Sequence, residues 1–328
     1  MSEAEPGVRV AVLCGGRSSE REVSLRSGQA VARGLVEAGH EATLVTIGAG
    51  GVWRQGDRPV ELVPGDGLLG SDVAFPVLHG PFGEDGSIQG LLEWLDVPYV
   101  GSDVLSSAIC MDKLTLKRLY AQAGLPQVEF VSAAEPDWRE RCERIGPPLW
   151  VKPSRLGSSV GINRVDDLGD LDGAVELARR HDPRVIVEAS AKGREVECSL
   201  LGNERVEASL PGEVVAHGEW YDYETKYRDG GMELVVPAPI SDEQARRLQR
   251  LAAEAFELGG CSGLARCDFF VEPSGEVLVN EVNTMPGFTE TSVYAKLWEA
   301  SGIPYPDLCD RLVKLAVERH ERARSYEF

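Results

Sequence analysis

No apolar run in the chain approaches the roughly 20 residues a membrane span needs, so none is expected to cross a bilayer. The opening "MSEAEPG" is acidic and lacks the apolar core of a signal peptide, and the expected location is the cytoplasm. The seven cysteines (14, 110, 142, 198, 261, 267, 309) are odd in number, scattered, and form no C-x-x-C pair. That argues against a zinc site or a disulfide framework and for reduced thiols. Five dispersed histidines give a His-based metal site little support. Lysine is scarce, seven of 34 basic residues, so each one asks whether a compact point charge was needed there or whether it simply sits on the surface. A net charge of −19 excludes nucleic acid or an anionic membrane as partner, but not an anionic small molecule, because a site's field is local.

What is present is an ordinary globular composition, 43% apolar and 27% charged, over 328 residues, enough for about two domains. "RVAVLCGG" reads as a buried strand ending in paired glycines. A helical pattern, "SSEREVSLRSGQAVARGLVEAG", follows, then the strand "HEATLVTI", the strand "DVAFPVLHG" and the helix "GSIQGLLEWLDV". Strands alternating with helices imply a parallel α/β sheet whose ligands gather at the strands' carboxyl ends, here Gly15–Glu20 and His79–Gly86. From about Val104 the pattern changes to a single long helix through "MDKLTLKRLYAQAG", short strands and a Gly/Ser turn, a small α+β unit. Beyond Glu188 come β-rich stretches, a polar loop around 217–231, a long helix, a hairpin and a C-terminal helix. The expected units are residues 1–103, 104–187 and 188–328.

The hairpin is "RCDFFVEPSGEVLVNEVN", residues 266–283, with turn residues in "EPSGE". A two-residue loop at Ser274–Gly275 pairs Pro273 with Glu276 and sets Asp268 opposite Glu281 and Arg266 opposite Asn283. All four side chains then share one face. A three- or five-residue loop would shift that register by one. Facing carboxylates repel, which makes sense if a hard cation such as Mg²⁺ sits between them. A solvated face with its charges in water accounts for the same residues.

Other stretches are individually modest. "VKPSRLGSSVGI" sets Lys152 at a strand end before a Gly/Ser turn that could wrap phosphate oxygens, although it is no Walker loop and could be a plain β-turn. In "GGRSSEREVSL", Glu20 could meet a cationic amine at a helix start, or "SSERE" is capping chemistry alone. His79 in "LHGPFGEDG" could hold a carboxylate or serve structure. "YDYETKY" could close over a site with Lys226 and Tyr227, or be an aromatic surface patch.

Taken in order, "GGRSSEREVSLRSG", "HGPFGEDGSIQG", "MDKL", "VKPSRLGSSVGI", "YDYETKY", "RCDFF" and "NEVNTMPGFTETS" resemble the D-alanine–D-alanine ligases of the ATP-grasp superfamily. The resemblance runs from about residue 8 to 312. It implies an ATP-grasp fold: an N-terminal Rossmann-like parallel-sheet domain, a central α+β domain and a C-terminal α+β domain, with ATP between the last two. It implies two Mg²⁺ (or Mn²⁺) ions held by Asp268, Glu281 and Asn283. For nucleotide binding it implies Lys113, Lys152, Ser158, Ser159 and Lys226 at the phosphates, Glu188 and Glu195 at adenine and ribose, and backbone around Ala189–Ala191. Glu20 would bind the ammonium of the first D-alanine and form a triad with Ser158 and Tyr227. His79 would help orient that substrate, Arg266 would stabilise the oxyanion, and Gly287, Ser292 and Val293 would take the second substrate. The implied partners are D-alanine and ATP, in a homodimer.

Some positions depart from the family pattern. The adenine hinge "EASA" is small where relatives are often bulky, Met285 occupies a variable position, and Trp150 is large for a strand near a cleft. Two other readings compete: a ligase of the same plan that accepts D-lactate or D-serine, and a nucleotide-binding scaffold without turnover. Tyr227 argues against D-lactate, and the presence of every metal carboxylate and of Arg266 argues against the scaffold.

Overall fold

The computed structural model describes residues 7–216 and 232–327. Three sheets carry the chain among them. The first is built on β1 (Arg9–Gly15), whose apolar run is buried on both faces as a central parallel strand requires. It pairs in parallel with β2 (Glu41–Ile47) and β5 (Val73–Pro76), while β3 (Trp53–Gln55) and β4 (Arg58–Pro59) add an antiparallel edge. Gly15 ends β1 at φ +94°, and a Cβ there would stand 2.4 Å from the Ile47 carbonyl, so only glycine turns the chain toward α1 (Arg21–Glu37). Helix α2 (Ser87–Leu95) follows the loop after β5.

The segment expected as one helix is two, α3 (Val104–Met111) and α4 (Lys113–Ala123). Asp112 breaks them in an extended conformation, and its carboxylate accepts from Thr115 N and from the Ser154 hydroxyl. A short polar side chain that can bond the backbone competes with helix continuation and makes a good N-cap. The break leaves Lys113 as the first residue of α4.

The second sheet, in order β6 (Phe130–Ser132), β9 (Val185–Ala189), β7 (Leu149–Pro153), β8 (Asn163–Val165), is antiparallel. It packs α5 (Trp138–Ile145) and α6 (Leu171–Arg179) around Val131, Leu149, Val151 and Val175. The third runs β13 (Met232–Val235), β12 (Gly212–Ala216), β10 (Arg194–Gly202), β14 (Gly263–Val271), β15 (Val277–Asn283), with β11 (Val206–Ala208) beside β10. Helix α7 (Asp242–Leu258), opened by a Ser241–Gln244 capping box, covers it. Helices α8 (Val293–Ala300) and α9 (Tyr305–Arg324) complete the described chain. One core joins Val12 and Phe75 of the first sheet to Leu264 of the third through Phe288, Trp298 and Leu312.

The β14–β15 hairpin sets Asp268 opposite Glu281 and Arg266 opposite Asn283, as expected. The turn, however, has three residues: Glu272 N donates to Glu276 O, and Val271 faces Val277. That shifts the register by one, and a bulge at Asn280, between the Asp268–Glu281 and Phe269–Val279 pairs, shifts it back. The expected Pro273–Glu276 pair is therefore wrong, while the outer pairs stand.

Candidate active site

Two cavities, of about 390 and 350 Å³, open where the three sheets meet, and they share a wall of Lys113, Leu156, Gly157, Ser158, Glu197 and Glu281. The larger is lined by Glu20, His79, Arg266, Asn283, Gly287, Ser292 and Val293; the other by Lys152, Ser159, Glu188, Ala189, Ala191, Glu195 and Asp268. Every site residue expected from sequence lines one or the other, except Lys226 and Tyr227, which lie outside the described residues.

Strand pairing builds the shared wall. Glu197 of β10 stands opposite Asp268 of β14, and Asp268 opposite Glu281 of β15, so three carboxylates form a row across adjacent strands. Arg266 lies one step along and 5% exposed; its Nε and Nη2 each meet one Asp268 oxygen at 2.7 Å. Its Nε also lies 2.8 Å from Glu197 Oε2. Lys113 Nζ lies 3.2 Å from Glu281 Oε2 and donates to the Leu156 carbonyl. Asn283 Oδ1 accepts from Met285 N. Among the described residues no three His, Cys, Asp or Glu side chains are grouped tightly enough to hold a metal alone. Two opposed carboxylates and an amide oxygen, already matched by Arg266 and Lys113, nevertheless fit a hard divalent ion that completes its shell with phosphate oxygens.

Glu188 lines the second cavity, but it is only 2% exposed and its carboxylate is bound by Lys152 Nζ at 2.6 Å and Lys117 Nζ at 2.9 Å. Burial pushes its pKa up, yet the two ammonium charges win and hold it at about 2. Burial lowers the Lys117 pKa despite Glu188, whereas for Lys152 the pull of Glu188 outweighs burial and raises it. Glu188 thus pairs two lysines in the cavity wall, and the exposed Glu195 lines the same cavity. Lys117 was missed by sequence reasoning, although its rarity and its position one helical turn after Lys113 signalled it. Glu197 carried no signal of its own. Trp150, half-buried, donates Nε1 to Ser190 Oγ and lines this cavity.

At the other end, α1 has no side-chain cap, so the capping-box reading of "SSERE" fails. Instead Glu20, nearly buried, accepts a short hydrogen bond from the Ser158 hydroxyl, 138 residues away. Ser158 and Ser159 hold φ of 51° and 58°, a left-handed conformation uncommon outside glycine. Asp182 anchors this loop by accepting from Arg155 N, Nε and Nη2; burial raises its pKa, but Arg155 and the Arg184 amide bring it below the ordinary value. His79 is buried, with Nδ1 3.0 Å from the Met285 carbonyl and Nε2 3.1 Å from Ser27 Oγ, so both ring nitrogens brace the wall. Ser292 precedes α8, and its hydroxyl accepts from Thr289 N. That helix start offers a carboxylate the N–H groups of its first turn.

The arrangement joins two cavities across a wall of acids and cations. Two family models match: one described as "D-ala D-ala ligase N-terminus" over residues 9–68 and 65–102, the other as "D-ala D-ala ligase C-terminus" over 119–314. A D-alanine–D-alanine ligase of Thermoanaerobacter sp. (strain X514) is 43% identical over 355 residues, covering 97% of this chain and 99% of the relative. One from Solibacter usitatus is 44% identical, covering 98% and 99%. The solved D-alanine–D-alanine ligase of Coxiella burnetii superposes with a TM-score of 0.87 at 36% identity, covering 98% and 97%. The VanG D-Ala:D-Ser ligase of Enterococcus faecalis gives 0.85 at 35% identity, covering 94% and 99%. The chain belongs to the D-alanine–D-alanine ligase family.

Proposed function

We propose that this protein joins two D-alanines in an ATP-dependent reaction that releases ADP and phosphate and supplies the dipeptide for peptidoglycan precursors. One observation carries the reading: Asp268 and Glu281 stand opposed, with Arg266 beside them, where the two cavities adjoin, Arg266 lining one, Asp268 the other and Glu281 both. A carboxylate is a poor electrophile. The first D-alanine's carboxylate oxygen therefore attacks the γ-phosphorus of ATP, the bond to the β-bridging oxygen breaks, and D-alanyl phosphate and ADP form. The second D-alanine's nitrogen then attacks the acyl carbon, sheds a proton, and phosphate leaves.

Lys113 and Lys152 hold the ATP phosphates, with Ser158, Ser159 and Lys226; Glu195 and the Ala189–Ala191 backbone meet ribose and adenine. Asp268, Glu281 and Asn283 would hold two Mg²⁺ or Mn²⁺ ions, which when bound would spread the phosphate charge. Glu20 receives the first D-alanine's ammonium, and its bond to Ser158, completed by Tyr227, ties the 154–162 loop over the site. His79 braces that pocket, and Arg266 faces the oxyanion. Ser292, the Val293 amide and Gly287 receive the second substrate's carboxylate. Positioning and charge neutralisation supply most of the rate. The three units 1–103, 104–187 and 188–328 act as substrate, nucleotide and catalytic bodies of a cytoplasmic homodimer.

The 35% identical D-Ala:D-Ser ligase keeps D-serine open as second substrate. The test is incubation with ATP, Mg²⁺ and an equimolar mixture of D-alanine, D-serine and D-lactate, with products separated by mass. D-alanyl-D-alanine should predominate, with phosphate release that depends on D-alanine. A predominant D-alanyl-D-serine or depsipeptide would change the acceptor, and phosphate release indifferent to D-alanine would reject ligation.

A further inference from the structure

We propose that Glu197 is a positioning residue for Arg266: it keeps the guanidinium in place when Asp268 turns to the divalent metal. The inference rests on the reading above, in which Asp268 is a metal ligand. Glu197 is 6% exposed, lines both cavities, and stands opposite Asp268 in the β10–β14 pairing. Both Asp268 oxygens are engaged by Arg266, at 2.7 Å each. A metal that takes Asp268 must share that carboxylate with the guanidinium, and its charge weakens the guanidinium's hold there.

Arg266 cannot answer by swinging into water, since it is almost fully buried on a central strand. A buried charge stripped of its anion is strongly disfavoured. Glu197 Oε2, 2.8 Å from Arg266 Nε, is the carboxylate that stays with it. The row of three acids thus divides its work: Asp268 and Glu281 face the metal, and Glu197 retains the arginine where it meets the reacting carboxyl. Without Glu197, Arg266 and the metal compete for the same two oxygens of Asp268.

The test is Mn²⁺ titration of the ADP complex, followed by water-proton relaxation, in four proteins: wild type, Glu197→Gln, Arg266→Met, and the double variant. Glutamine is nearly isosteric, and circular dichroism and a melt verify each fold. Glu197→Gln should weaken Mn²⁺ binding about 10- to 100-fold in the presence of Arg266, the range seen when a residue behind a metal ligand is removed. In the Arg266→Met background the same change should cost no more than about threefold, because the competitor is gone. Should Glu197→Gln not fold, Glu197→Asp is titrated in both backgrounds, with a smaller loss expected that again needs Arg266. An equal loss in both backgrounds would reduce Glu197 to a distant charge, and no loss in either would leave it without a role; both overturn the proposal. Absence of Mn²⁺ binding by the wild type would instead bring down the metal-ligand reading, and this inference with it.

Discussion

Glu188 shows how one residue's surroundings redefine its role. Sequence resemblance set it at the nucleotide's base and sugar, yet its carboxylate is enclosed by Lys117 and Lys152. Replacing it by glutamine strands two ammonium groups, one of them fully buried, and breaking a buried pair in this way costs about 3–5 kcal/mol. The Glu188→Gln protein should melt well below the wild type at pH 7 and show a raised KM for ATP through a loosened Lys152. The pH dependence has a definite sign. The carboxyl titrates at about 2 in the fold against an ordinary 4.5, so its stabilisation is whole above pH 4.5 and fades as pH falls toward 2. Urea unfolding of both proteins between pH 7 and 2.5 measures this. The gap between them should be constant down to about pH 4.5 and narrow below it, and a gap that widened on acidification would contradict the pairing.

At the scale of elements, the site is made where loops touch, and the loop after β5 meets the loop after β1 of the same sheet closely. Gly80 sits at φ +73°, and a Cβ added there would lie 2.6 Å from Glu20 Oε2. Gly80→Ala should therefore push Glu20 off Ser158, beyond the roughly 1–2 kcal/mol of strain the left-handed backbone imposes. The expected result is a rise in KM for D-alanine of tenfold or more with KM for ATP little changed; equal rises in both would point to general disorder of the loops. How much of this was legible in the sequence follows from the same contacts. Alternation within β14 and β15 was readable, because period-two patterning is local, and it put Arg266, Asp268, Glu281 and Asn283 on one face. The turn was misread and the register survived, since the three-residue loop and the Asn280 bulge cancel. The α3–α4 break was invisible because Asp112 is committed by Ser154, a partner in another element. Glu197 was out of reach for the same reason: its meaning lies in the β10–β14 pairing, about 70 residues apart in sequence.

Over the whole molecule, a chain of net charge −19 gathers three of its seven lysines, Lys113, Lys117 and Lys152, around one cleft. Bulk charge argues against polyanions, but local geometry concentrates positive charge at one cleft of an acidic protein. The cleft lies between bodies with separate cores: the second sheet packs on its own helices, while the first and third share apolar residues. Lys152 and Glu188 from the second sheet and Asp268 and Glu281 from the third line one cavity, so a nucleotide bound there as proposed would tie the two together. Binding to the folded state alone stabilises by about 2.7 kcal/mol at 100 times Kd. ADP with Mg²⁺ should accordingly raise the melting midpoint by a few degrees, whereas ADP with excess chelator should raise it much less, because the facing carboxylates then repel the phosphates instead of sharing a cation with them. D-alanine, in the proposed function, would bind against the first and third sheets, which already share a core, so it should not replace the metal in this respect. A midpoint that rose equally with and without divalent ion would mean that the lysines alone hold the nucleotide and that Asp268 and Glu281 serve only to pair Arg266 and Lys113.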